Sequence, residues 1–165
     1  MWKKSAFQAI GEYPSSQESK MKIVAHRGNL FGPDEKKENT LSSIEKCLSL
    51  NIEVEIDIFF MDGSFFLGHD YPKMAIGKDF LIRNKNKLWI HCKNSDALFE
   101  LSKTKTNFFW HQEDDFALTS KKNIWTYPKK KVCEKSIIVC QTKKQTKEYR
   151  TKNILGICTD WYYLK

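Results

Sequence analysis

Apolar residues fall in short runs separated by polar stretches, and within the runs they alternate with polar ones. The runs are KIVAH (22–26), VEIDIFF (54–60), SFFLGH (64–69), KLWIHCK (87–93), NFFWH (107–111), NIWTY (123–127), SIIVC (136–140) and LGICTDW (155–161). Runs of this length with period-2 alternation predict β-strands. Two intervening segments carry helical spacing instead. In 39–51, Leu41, Ile44, Cys47 and Leu48 recur on one helical face behind a capping Asn39 or Thr40. In 94–104, Ala97, Leu98 and Leu101 do the same behind Asn94 or Ser95. Met61-Asp62-Gly63 between two runs predicts a tight hairpin turn.

Alternation assigns faces. Glu53, Glu55 and Asp57 share one face of their strand, and Val54, Ile56 and Ile58 the other. Trp89, His91 and Lys93 share a face, opposite Leu88, Ile90 and Cys92. Strands alternating with short helices predict a parallel α/β sheet. Seven or eight strands suit a TIM-type (β/α) barrel, but such barrels typically need about 250 residues. The expectation is therefore a small, trimmed barrel with later helices short or missing, spanning residues 21–165 as one domain. An open doubly wound sheet is the alternative. Residues 1–20 have three lysines but no apolar core of a signal peptide, and are expected to be a poorly ordered lead-in or a short docking segment.

Composition changes this picture little. Of 165 residues, 41% are hydrophobic and 13% aromatic, enough for a packed core. No stretch approaches the roughly 20 apolar residues that span a bilayer. Five cysteines without CxxC spacing favour free thiols in a reducing, cytoplasmic compartment over disulfides or a zinc site. The net charge is +8, but 25 of the 28 basic residues are lysine. Nucleic-acid recognition favours the arginine fork, so the lysines read as solvated surface and a nucleic-acid partner is not expected. There is no P-loop, GxGxxG, GxSxG or internal repeat.

The strand ends carry the chemistry. His26 and Arg27, Glu55 and Asp57, His69 and Asp70, His91 and Lys93, His111, and Asp160 all lie at or beside strand C-termini, and this set holds all four histidines. In order, AHRG (25–28), ENT (38–40) and EIDIFFMDGSFFLGHD (55–70) resemble the glycerophosphodiester phosphodiesterase family of the PLC-like phosphodiesterase superfamily. The resemblance is tight over residues 22–72 and looser beyond. LWIHCKN and FFWHQEDDFALTS look like a short divergent branch, and GICTDW resembles the family's closing strand.

The resemblance implies a PLC-like barrel and a phosphodiester substrate of the glycerophosphodiester or related headgroup class. It implies His26 and His69 as the base and acid, in an order left open. Glu55 and Asp57 would hold a divalent metal, Mg²⁺ or Ca²⁺, with Mn²⁺ a further option. Arg27 and Lys93 would bind the phosphate. Glu38, Asn39, Asp70 and His111 would support these groups. A lyase outcome, with a substrate hydroxyl attacking to leave a cyclic phosphate, belongs to the same chemistry. The departure is at His91, where the family carries a carboxylate as third metal ligand. Three outcomes stay open: two carboxylates with more water, a different metal, or His91 on the substrate. Glu113, Asp114 and Asp115 read as an acidic surface loop. Two rivals come from other classes: a barrel that binds an anionic phosphate ligand without turnover, and a lysine-rich nucleic-acid-binding protein whose NFFWH and NIWTY aromatics stack bases.

Overall fold

The alternation seen along the runs becomes a single sheet of ten strands in the computed structural model, which describes residues 21–164. The expected lead-in over residues 1–20 lies outside the described residues. The elements are β1 (Lys22–His26), α1 (Leu41–Ser49), β2 (Glu53–Met61), β3 (Ser64–Leu67), β4 (Met74–Ile76), α2 (Lys78–Arg83) and β5 (Leu88–Cys92). They continue with α3 (Ser95–Ser102), β6 (Phe108–Phe109), β7 (Phe116–Leu118), β8 (Ile124–Thr126), β9 (Ser136–Cys140), α4 (Lys143–Tyr149) and β10 (Gly156–Thr159).

Seven strands run parallel in the spatial order β6-β5-β2-β1-β10-β9-β8. Three short strands are antiparallel additions: β3 on β2, β4 on β3, and β7 on β8. The sheet curls until its two ends meet. Phe109 of β6 stacks on Trp125 of β8, with ring centroids 4.4 Å apart. Among the described residues no ladder joins these ends. Ser120 bridges them: its N–H donates to the Phe108 carbonyl (2.8 Å), and its hydroxyl donates to the Thr106 carbonyl (2.9 Å) and accepts from the Phe108 N–H (3.0 Å).

Curling separates two apolar layers. Val24, Trp89, Phe109, Trp125, Ile137 and Cys158 pack together on the concave side, each from a different strand. The convex side of β1, β2 and β5 is covered by Ile44 and Cys47 of α1, Leu81 of α2, and Ala97 and Leu101 of α3. Tyr149 of α4 packs against the convex residues Ile138, Cys140 and Ile157. The concave cluster contains no helical residue, so the helices cover one face only, unlike a doubly wound sheet. Caps fall where short polar side chains can accept from the first turn: Thr40 from the Ser43 N–H, Asn94 from the Ala97 N–H, and Thr142 from the Gln145 N–H.

The predicted hairpin turn is present. Asp62 and Gly63 both take positive φ (49° and 74°) between the paired Met61 and Ser64, as a two-residue type I′ turn requires. Four elements have no counterpart in the hydrophobic pattern: β4, β7, α2 and α4. They are short, and α2 and α4 each bury one side chain, Leu81 and Thr146.

Candidate active site

The parallel strands all end at one rim, and the inward face of that rim is where alternation places the polar residues. His26, Arg27, Glu55, Asp57, His69, His91, Lys93 and His111 line one concavity of about 380 Å³. The rest of its lining is Gln112, Trp125, Tyr127, Pro128, Val139 and Gln141. The expected catalytic, phosphate-binding and metal residues thus converge. Glu38 and Asn39 sit behind them, Asp70 is an exposed side chain paired with His69, and His111 lines the cavity itself.

Two carboxylates lie at the bottom. Asp57 is fully buried, and its oxygens are surrounded. Oδ1 lies 2.9 Å from His91 Nδ1 and 3.8 Å from Lys93 Nζ. Oδ2 accepts from Asn39 Nδ2 at 2.9 Å and lies 3.1 Å from Arg27 Nε. The Asn39 side chain also accepts from the Asp57 N–H, closing a two-bond clamp. Burial alone would raise the Asp57 carboxyl; the His91 hydrogen bond and the His91, Arg27 and Lys93 charges outweigh it and hold the group well below the usual range.

Glu55 is the opposite case. It is 2% exposed, yet among the described residues its carboxylate accepts only the Arg27 N–H (3.2 Å) and lies 3.9 Å from His26 Nε2. Burial first, and the Asp57 charge second, push its carboxyl up. A buried carboxylate so thinly satisfied is a place for a cation.

His91 belongs to the same cluster. Ligand atoms of Glu55, Asp57 and His91 lie within 4.8 Å of one another. Nε2 of His91 faces the His111 carbonyl at 3.1 Å, and a carbonyl only accepts, so Nε2 carries the hydrogen. That tautomer turns Nδ1 toward Asp57, the arrangement of a metal-bound histidine whose other nitrogen is anchored on a carbonyl. The space between Nδ1 and Oδ1 takes either a proton or a cation. The donor set therefore fits a divalent ion. The ring stacks on both Phe109 and His111, at centroid distances of 5.2 and 4.7 Å. Burial, with His91 and Lys93 nearby, lowers the His111 pKa to about 4.

The two candidate proton-transfer groups are each paired with an aspartate. His26 Nδ1 lies 2.9 Å from Asp160 Oδ1, and His69 Nδ1 lies 2.6 Å from Asp70 Oδ1. Their environments differ. Burial lowers the His26 pKa, but the Asp160 hydrogen bond and the Glu55 and Asp160 charges overcome it, so the net shift is upward. His69 is shifted down, by burial first, with Arg27 and Lys93 adding to it.

Backbone conformation holds the rim. Arg27 takes a left-handed φ of 52°, Asn39 takes 53°, and the Asn39 N–H donates to the Arg27 carbonyl at 3.0 Å. Arg27 Nη1 donates to Glu38 Oε2 (3.1 Å) and Asn29 Nδ2 to Glu38 Oε1 (3.0 Å). Gly28 follows at φ 84°, where a Cβ would lie 3.0 Å from Ser43 Cβ. Gly68, before His69, has φ 151°, and a Cβ there would fall 2.0 Å from the Tyr71 carbonyl oxygen.

Asn29 and Asp160 form the part of the site that sequence reasoning left without a role. Asn29 Nδ2 donates to Asp160 Oδ1 at 2.7 Å. Period-2 spacing from Cys158 does put Asp160 on the inward face; its partner follows from β1 lying beside β10. The acidic loop stays on the surface: residues 113–115 are exposed, and Asp115 pairs with Lys130 at 2.8 Å.

Comparison with known proteins returns no match among family models, curated proteins or solved structures.

Proposed function

We propose that the chain is a small PLC-like (β/α) barrel that cleaves a phosphodiester of the glycerophosphodiester or related headgroup class with the help of a divalent ion. The observation that carries the reading is one cavity lined by His26, His69, Arg27, Lys93 and the Glu55–Asp57–His91 cluster. A phosphodiester anion resists attack, so its hydrolysis needs a base, an acid and positive charge at the non-bridging oxygens. His69, shifted down, is the neutral base that takes a proton from the attacking hydroxyl or water. His26, shifted up, is the acid that gives one to the leaving oxygen. Separation of the two pKa values in these directions makes the productive pair of protonation states the dominant one. Asp160 and Asp70 each hold an Nδ1–H, which turns Nε2 of both rings to the substrate. Lys93 and Arg27 supply fixed charge to the phosphate. Glu55, Asp57 and His91 would hold the ion, expected as Mg²⁺ or Ca²⁺ with Mn²⁺ favoured by the imidazole, and it would neutralise phosphate charge.

A second reading is supported by the crowding of Asp57. His91, Lys93, Asn39 and Arg27 already surround both its oxygens, which would suit a site that binds a phosphate ligand without turning it over. Assay of the purified protein against glycerophosphodiesters, lysophospholipids and a bis-aryl phosphodiester, each with Mg²⁺, Ca²⁺, Mn²⁺ or Zn²⁺, separates the two. Cleavage lost in His26→Ala and His69→Ala is the expected result. Phosphate binding with no turnover on any substrate would favour the binder.

A further inference from the structure

The charge in the cavity lining is confined to one part of the rim. Arg27, Glu55, Asp57 and Lys93 come from β1, β2 and β5 or the residues that follow them, and these three strands are consecutive neighbours in the sheet. A second arc comes from β8, β9 and the exits of β6, β8 and β9, and supplies Gln112, Trp125, Tyr127, Pro128, Val139 and Gln141. Among the described residues this arc has no carboxylate, lysine or arginine lining the cavity. Next to it, residues 113–115 are three acids and residues 129–131 are three lysines, so the neighbouring charges balance. What the arc offers instead is ring surface and neutral hydrogen bonding. Tyr127 is 41% exposed and meets the His111 ring edge-on, at 6.1 Å and 70°. The side-chain amides of Gln112 and Gln141 are exposed, and neither they nor the Tyr127 hydroxyl make a hydrogen bond among the described residues. Each amide can both donate and accept. Ring surface with a few convergent polar groups is the composition of a ligand subsite.

We infer that this arc binds the alcohol part of the phosphate ester, and that this alcohol is a neutral polyhydroxy ring, a sugar. This rests on Arg27 and Lys93 holding a phosphate, as proposed for the site, and not on turnover. Sugar hydroxyls pair with uncharged amides, and the C–H face of the ring packs on an aromatic side chain that also carries a hydroxyl, as Tyr127 does. Reach decides against a three-carbon alcohol. Gln112 follows β6 and Gln141 follows β9, with β8 between them, so their main chains are two strand spacings apart, about 10 Å. A six-membered ring on a phosphate held at Arg27 and Lys93 spans the gap between the two amides; glycerol is too short to do so. A quaternary ammonium group would find aromatic rings in the arc but no carboxylate, in a cavity it shares with Arg27 and Lys93. An anionic alcohol would find no lysine or arginine there.

Calorimetry of the full-length protein with Mg²⁺ compares four probes: inorganic phosphate, glycerol phosphate, glucose 1-phosphate and phosphocholine. Glucose 1-phosphate is expected to bind at least about 10-fold tighter than each of the other three, the scale of two added neutral hydrogen bonds. Gln112→Ala/Gln141→Ala should bring its Kd to that of glycerol phosphate. Gln141→Glu puts a carboxylate in the arc and should narrow the gap between glucose 1-phosphate and phosphocholine. Both side chains are exposed, and circular dichroism confirms that the variants are folded. The inference is overturned if glycerol phosphate or phosphocholine binds wild type as tightly as glucose 1-phosphate, or if either variant leaves the ratios at their wild-type values. Inorganic phosphate bound with no gain from the sugar overturns the inference alone. Failure of all four probes to bind overturns the phosphate site itself, and the sugar subsite with it.

Discussion

His26 Nδ1 and Asp160 Oδ1 lie 2.9 Å apart although 134 residues separate them in the chain. The pairing of β1 with β10 brings them together, and Asn29 fixes the carboxylate with a second hydrogen bond. The contact holds one nitrogen of the ring and leaves Nε2 near Glu55, at 3.9 Å.

Replacing Asp160 by Ala should leave His26 in place but unsteered. The expected loss is about 10- to 10²-fold in kcat with little change in KM, within the range that positioned acid–base groups contribute. Because the Asp160 hydrogen bond raises the His26 pKa, its removal should also move the alkaline limb of the pH–rate profile to lower pH. An unchanged alkaline limb would refute the positioning role.

The pH–rate profile itself should be bell-shaped. In the proposed scheme activity needs His69 neutral, and its pKa lies below the ordinary 6.5, so the acid limb falls on that side. Activity also needs His26 charged, and its pKa lies above 6.5, so the alkaline limb falls on the other. Asp70→Asn removes a contribution that raises the His69 pKa and should shift the acid limb to still lower pH. A profile that changes in one direction only across neutrality would contradict the two-histidine scheme.

Metal binding is readable by calorimetry without any substrate. Glu55→Gln should abolish it, since the buried carboxylate has few other partners. His91→Glu exchanges a nitrogen for an oxygen and should move preference from Mn²⁺ toward Mg²⁺ and Ca²⁺. Equal binding of all these ions by wild type and both variants would show that the cluster does not hold the ion.

The concave core should be costly to empty. Phe109 is 1% exposed and stacks on both Trp125 and His91, so Phe109→Ala should destabilise by about 3–5 kcal/mol in urea unfolding. Phe99 is 63% exposed on α3, and Phe99→Ala should change stability by less than about 1 kcal/mol. Similar losses in the two would deny the concave layer its role.

What could be read from the sequence was what period and neighbours determine. Alternation put Glu55 and Asp57 on one face, the Asp62-Gly63 pair gave the turn, and Thr40 and Asn94 lay at the helix starts. Short elements with little to bury escaped. The α4 segment KKQTKEY has one large hydrophobic residue, Tyr149, and fully buries only Thr146. Register was also out of reach. His91 faces Asp57 because β5 pairs with β2 with those two residues in line, and no local pattern encodes that alignment. The same holds for Asp160 on His26, which depends on the first and last strands becoming neighbours.

The seam between β6 and β8 has its own consequence for motion. Across this line the Phe108 N–H is held by the Ser120 hydroxyl and not by a continuous ladder, so this line should open before the β1–β2 centre does, and Phe108 should exchange its amide hydrogen early. His111 follows β6 on one side of that line; Trp125 and Tyr127 belong to β8 and its exit on the other. Breathing of the seam therefore changes the width of the cavity directly, and a ligand spanning both walls would slow exchange at Phe108 without touching its backbone.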